Sequence, residues 1–362
     1  MPRLPDALPA WTLWVPPAAW LVLAASRYAG EHALMTSLIA LALAGAVFAA
    51  VHHAEVVAHR VGEPLGTLVL AVAVTIIEVA LIVSVMLTGG PEKAGLARDT
   101  VFAAVMIVCN GIVGLCLLLG GLRHGEQDFS VRGANAALSV LAALSVLTLV
   151  MPNYLTAVPG PAFSTSQLAF AGISSLVLYG VFVFIQTVRH RDYFLADGAG
   201  GDESAHATPP SAPTTLVSGF ALLVCLIAVV LLAKHLSPAV ERAVHAAGAP
   251  EAAVGIVIAA LVLLPEGMAA ARAASANRLQ TSLNLALGSA LASIGLTIPT
   301  VAAVFIWVAK PLTLGIGAME TVLLVLTLLV GTLTLATGRT TILQGTVHLA
   351  IFAAYLFLSV TH

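Results

Sequence analysis

The sequence predicts an all-α polytopic membrane protein of about 11 transmembrane helices, one N-terminal helix followed by an inverted five-plus-five helix repeat. Three observations predict it. Of the 362 residues 60% are hydrophobic and only 9% charged, and the mean hydropathy is +1.04. Apolar stretches long enough to cross a bilayer recur from end to end. One signature, E-x-x-x-H-x-x-G-x-P, also occurs twice, as Glu55, His59, Gly62 and Pro64 and as Glu241, His245, Gly248 and Pro250. Each copy is followed by an apolar span holding one acid: Glu78, 16 residues past its glycine, and Glu266, 18 past.

In chain order the apolar runs lie at roughly 11–27, 33–52, 66–88, 100–121, 135–151, 166–187, 215–234, 252–271, 283–306, 313–336 and 341–360. The first has a basic residue ahead of it (Arg3) and small residues near its end, as a signal peptide does. Pro16, Pro17 and the spans that follow read better as an ordinary first membrane helix. After the sixth run comes RHRDYFLADGAGGDESAHATPPSAPTT, a polar linker by composition. The chain thus divides into an N-terminal helix (1–32), a first five-helix repeat (33–187), a linker (188–214) and a second repeat (215–362). Five is odd, so the second repeat must enter the membrane upside down relative to the first. With the N-terminus inside, nine of the 15 Lys and Arg face the cytoplasm, among them Arg60, Arg123, Arg272 and Arg339. The other six, including Lys93, Arg98 and Lys310, face out, which favours a cytoplasmic N-terminus and linker.

A net charge of −2 with no basic stripe excludes a nucleic-acid partner. Cys109, Cys116 and Cys225 all fall in apolar runs without metal-ligand spacing and read as packing residues. No cofactor is implied.

Among 17 acidic residues, Glu78 and Glu266 are the two well inside spans. A charge near the bilayer centre costs about 2.5–3.5 kcal/mol even on the lenient insertion scale. No Lys or Arg sits at mid-span to offset it. One explanation is a protonated Glu that donates a hydrogen bond between helices. The functional one is a cation site. Two carboxylates on antiparallel helices can hold a metal ion, with hydroxyls, carbonyls and water completing its oxygen shell. Emptied of metal, the pair faces desolvation and mutual repulsion, both of which favour proton uptake. Cation and proton then compete for the same oxygens.

Pro265, just before Glu266, frees a carbonyl one turn back; near Glu78 the nearest polar oxygen is Thr75. Asn110, Asn284, Ser289 and Ser293 supply neutral polar groups at membrane depth and are possible ion-site lining. Helix packing explains such residues equally well. The pairs Glu55–His59 and Glu241–His245, each one turn apart, are either pH-sensitive gates or interfacial caps orienting a short amphipathic helix. His52, His53, Glu55 and His59 invite comparison with a membrane metalloprotease, but the order H-H-x-E-x-x-x-H lacks the H-E-x-x-H face. A membrane sensor or scaffold that transports nothing is the alternative from another class.

These residues carry a resemblance. The two repeat signatures, GGLRHGEQDF, LQTSLNLALGSALASIGLTIP and QGTVHLAIFAAYLFLSV are similar, in that order, to the calcium/proton antiporters of the cation/Ca²⁺ exchanger superfamily, bacterial ChaA-like branch. The resemblance implies an inverted helix bundle in a bacterial inner membrane, exchanging Ca²⁺ for H⁺ by alternating access, with inorganic cations, protons and the lipid bilayer as partners. It carries the cation-binding acids over to Glu78 and Glu266, and polar lining to the region of Asn110 and to Ser289. The sequence departs from the plant and fungal members, which place a Gly-Asn pair before each acid; here Val74-Thr75 and Val262-Leu263 stand instead. Two amide ligands are missing, which opens Na⁺/H⁺ or K⁺/H⁺ exchange at the same site as the alternative to Ca²⁺.

Overall fold

The computed structural model describes residues 8–28, 32–62, 65–88, 90–195, 209–246, 248, 250, 252–308 and 312–361. Its helices are α1 (Ala10–Ser26), α2 (Ala33–Val61), α3 (Leu65–Thr88), α4 (Leu96–Met106), α5 (Val113–His124), α6 (Val131–Ser145), α7 (Thr165–Phe184), α8 (Ala212–Ala246), α9 (Ala252–Ser275), α10 (Leu279–Ala292), α11 (Ile298–Val308), α12 (Ala318–Leu335) and α13 (Ile342–Thr361). π-helical turns at Ile107–Ile112 and Ser293–Thr297 join α4 to α5 and α10 to α11, so each pair forms one continuous span. Among the described residues ten helical segments are long and apolar enough to cross a membrane, and α1 is a shorter apolar helix beside them. The protein is an all-α multi-pass membrane protein, as expected.

Several spans outrun their apolar runs. α2 continues through Glu55 and His59 to Val61, and α8 continues through Glu241 to Ala246. At 29 and 35 residues they are about 43 and 52 Å long, beyond the ~30 Å hydrocarbon core. Among the described residues, no separate short amphipathic helix accompanies the signature. Glu55 and His59 sit on the last turns of α2 itself, because the backbone ladder continues past the point where the side chains turn polar. Gly62 ends α2 with φ +73°, and Gly248, after α8, has φ +67°, a left-handed backbone that favours glycine. The repeated signature is therefore a helix end and a stop. Pro250 opens the first turn of the next helix, its carbonyl accepting from Ala253; Pro64 lies outside the described residues.

The contacts divide the chain into two units, residues 1–88 with 203–247 and residues 89–202 with 248–362, so each takes helices from both sequence halves. In the first, α2 packs on α8, and both pack on α1 and α3. Arg60, at the end of α2, donates to the carbonyl of Pro210 just ahead of α8 (3.1 Å), so the two long helices run antiparallel. That places the ends of α2 and α8, where the two copies of the signature fall, at opposite ends of the pair. α1 is held by the fully buried His53, whose Nε2–H donates to the carbonyl of Thr12 (3.0 Å).

In the second unit, α9 packs on α4, α5 and α10, and α13 lies along α5. Its connections meet in two groups. At one end Gln127–Asp128 (β1) and Arg339–Thr340 (β2) pair antiparallel. At the other, Asn153 donates to the carbonyl of Ile316 (2.6 Å), and Ala162 bridges to Thr313. The loops that the span count assigns to one side of the membrane are those that touch.

α13 seats against α5 along a row of small residues. A Cβ added at Gly345 would stand 2.5 Å from the backbone nitrogen of Leu118, and one at Gly121 2.8 Å from that of Ile342. Neither backbone can retreat without parting the helices. Gly345→Ala should therefore lower stability by about 1–3 kcal/mol, read as a drop in Tm of the detergent-solubilised protein. An unchanged Tm would contradict the close seam.

Candidate functional site

Glu78 lies midway along α3 with 2% of its surface exposed, and Thr75, one turn earlier, is 7% exposed. Glu78 and the Thr75 hydroxyl thus sit one turn apart on a largely apolar helix packed against α2 and α8. Val74, beside Thr75, is buried as well.

Glu266 lies on α9 and is half-buried. Pro265 sits inside this helix and offers no N–H to the carbonyl of Leu261, which frees that oxygen within membrane depth. Val262 and Leu263, on the same turn, are buried and aliphatic.

Three contacts align α9 with the span formed by α4 and α5. A Cβ at Gly255 would meet the backbone nitrogen of Thr100 at 2.9 Å, and one at Gly267 would meet Ile112 Cδ1 at 3.1 Å. Both positions advance together along the two chains, so the helices run parallel. The third contact is a polar clamp on the end of α9. His124 donates from Nε2 to the carbonyl of Ser275 (3.1 Å), and Arg123 reaches the same oxygen (3.4 Å). Gln127, 2% exposed, donates to the carbonyl of Ala274 (3.0 Å) and to Asn277 Oδ1 (2.9 Å). Asn277 itself is left-handed, with φ 58°. The last carbonyls of a helix have no partner within it, and here the GGLRHGEQDF stretch supplies one.

Asn110 and Ser293 fall in two of the four π turns among the described residues, those at 107–112 and 293–297, where one extra residue in the ladder redirects side chains, an arrangement frequent at functional sites. The spans carrying these turns pack against each other: α10 touches the turn at 107–112, and α4 touches the turn at 293–297. Ser293 is 3% exposed and Ser289, one turn before it, is half-buried. Asn110 is fully buried; its Nδ2 donates to Thr327 Oγ1 (2.8 Å), and its Oδ1 accepts from His348 Nδ1 (3.1 Å). His348, Thr327 and Thr334 escaped the sequence reading, although a histidine in QGTVHLAIF at mid-span was a visible signal.

Asn284 is half-buried, donates to the carbonyl of Phe194 (2.6 Å) and accepts from Gln280 Nε2 (2.9 Å). Gln280 Oε1 in turn accepts from the backbone N–H of Ser130 (2.6 Å). These amides hold the start of the linker, where Phe194 packs edge-on against Phe182 and Tyr193 stacks between His190 and Arg132. Linker residues Asp197, Asp202, Glu203 and His206 lie outside the described residues. Glu55 and His59 are both exposed. Glu241 is half-buried and accepts from Ser237 (3.3 Å); the side chain of His245 lies outside the described residues.

A bundle of membrane-crossing helices with one acid in each of two duplicated spans defines a secondary transporter. The chain belongs to the sodium/calcium exchanger protein family, whose sequence pattern matches residues 31–188 and 217–361 and passes over the linker. The protein y4hA of Sinorhizobium fredii, named as an ionic transporter, is 53% identical over 357 residues, 97% of this chain and 96% of its own. The sodium-potassium/proton antiporter ChaA of Escherichia coli is 39% identical over 311 residues, 85% of this chain and 84% of its own. The solved structure of native YfkE shares the fold, with a TM-score of 0.75 at 17% identity, covering 97% of this chain and all of that one.

Gln127→Leu removes the amide from the end of α9. Two donated hydrogen bonds are lost and a helix-end carbonyl is left to find water, so about 1–3 kcal/mol of stability should go with them. Faster amide exchange around residues 272–278 than in the wild type would show it; unchanged protection would mean that Arg123 and His124 hold the end without Gln127.

Proposed function

We propose that the protein is a cation/proton antiporter of the bacterial inner membrane, N-terminus in the cytoplasm, that exchanges Na⁺ or K⁺ for H⁺ by alternating access. Glu78 and Glu266 bind cation and proton in turn. The observation that carries the choice of cation is the side-chain chemistry before the two acids. Val74, Thr75, Val262 and Leu263 contribute a single hydroxyl and no amide. A donor-poor shell suits a monovalent ion better than Ca²⁺, which takes six to eight oxygens. The E. coli relative, named a sodium-potassium/proton antiporter, supports the same choice.

An ionised carboxylate left in hydrocarbon without a counter-ion is costly, so release of the cation favours uptake of a proton. The neutral protein can then reset, and no separate coupling device is needed. Thr75, Asn110, Ser289 and Ser293 are the neutral oxygens assigned to the ion's path, with Asn284 further along the span of Ser289. The pairs Glu55–His59 and Glu241–His245 are assigned as pH-sensitive ends of the two long helices. Ca²⁺/H⁺ exchange is the second reading, favoured by the two acids themselves, which together would neutralise a divalent ion.

The test uses everted membrane vesicles, acidified inside, with proton release followed as Na⁺, K⁺ or Ca²⁺ is added separately. Release at millimolar Na⁺ or K⁺ with none at micromolar Ca²⁺ is expected; the reverse would establish the divalent reading. Glu78→Gln and Glu266→Gln should each abolish release while the protein remains inserted. A double variant that still exchanges any of the three cations for protons would sink the mechanism.

A further inference from the structure

His348 is a buried histidine at mid-span to which exchange by two glutamates gives no role. It is 2% exposed, and its partners Asn110, Thr327 and Thr334 are 0%, 1% and 4% exposed. Together with His348 they come from three different spans, and the hydrogen bonds of the four can be assigned from one end of the chain of contacts. Thr327 donates its hydroxyl proton to the carbonyl of Leu323 (2.7 Å), as a helical threonine commonly does. Its oxygen is then an acceptor toward Asn110, so the amide group facing it, at 2.8 Å, must be the NH₂. The amide oxygen is thereby turned to His348 Nδ1, 3.1 Å away, and that nitrogen must carry a proton. The other ring nitrogen, Nε2, is left to accept from the hydroxyl of Thr334, also at 3.1 Å. A backbone carbonyl thus fixes an amide's orientation, and the amide fixes a histidine tautomer.

What His348 holds is the π turn at 107–112. The helix closes on α5 here, where a Cβ at Gly114 would meet His348 Cβ at 2.9 Å. Two residues before Gly114 in the same stretch, Ile112 packs on Gly267, the residue next to Glu266. We propose that His348 is a positioning residue for exchange: it locks the Asn110 amide, and with it the turn on which the Glu266 helix rests. The proposal rests on the antiport reading above. It assigns a role to a terminal helix that contributes no acid.

The test compares wild type, His348→Leu and His348→Asn in proteoliposomes, reading both the half-saturating cation concentration and the maximal rate. Asparagine places an amide nitrogen near the position of Nδ1 and keeps the donor toward Asn110; leucine keeps the bulk and loses the donor. The leucine variant should raise the half-saturating concentration about tenfold, and the asparagine variant should bring it back to within about twofold of wild type. Equal behaviour of the two variants, or a fall in maximal rate alone, would overturn the proposal. A second readout does not need transport. In ¹⁵N-histidine-labelled protein, the resonances lost in both variants should show Nδ1 protonated and Nε2 bare; the opposite tautomer would overturn the assignment even in an active exchanger. A wild type that moves no cation would overturn the antiport reading, and this proposal with it.

Discussion

Water is the usual partner of last resort for a polar group, and inside a bilayer it is missing. Much of the structure follows from how the chain meets that condition. Asn110, His348, Thr327 and Thr334 satisfy one another across three spans. The carbonyls at the end of α9 are met by the loop after α5, and the start of the linker is met by Asn284. Helices that must share hydrogen bonds of this kind have to approach closely. The glycines at 255, 267 and 345 permit that approach, and the polar contacts then fix the register that close packing allows.

Two carboxylates form a different class within this scheme. An amide or a hydroxyl can be satisfied once, at folding, and remain so. On the proposed function each carboxylate binds cation and proton in turn, a task that one permanent set of hydrogen bonds would block. The second unit is consistent with a division of labour: neutral polar groups brace α9 through its neighbours, and the acid sits on the braced helix, half-buried.

Much of this was legible in the sequence, for physical reasons. Spans show because hydrocarbon demands twenty or so apolar residues, and the acids show because a charge among them is expensive. The apolar runs stop short of the ends of α2 and α8 because hydropathy tracks side chains while a helix is a backbone object; Glu55, His59 and Arg60 are polar and still helical. The π turns left no compositional trace, since one extra residue in a hydrogen-bond ladder changes no residue type. The partners of Asn110 were beyond reach for another reason. Thr327 and His348 stand 217 and 238 positions away, and nothing local to any of the three announces the meeting. The clamp fell in between. GGLRHGEQDF was noticed as a resemblance, yet its task, closing the end of another helix, needs the fold to be seen.

The parallel course of α5 and α9 has an electrostatic consequence. Peptide dipoles in parallel helices point the same way, so both helices present their negative ends at one face of the membrane. Arg123 and His124 close the last turn of α5, Arg272 lies in the last turn of α9, and Arg278 follows three residues after that helix ends. Side by side, two such ends would repel; Arg123, at the end of α5, reaches the carbonyl of Ser275 and brings a positive charge to the end of α9. A single arginine thus relieves a repulsion inherent in the packing.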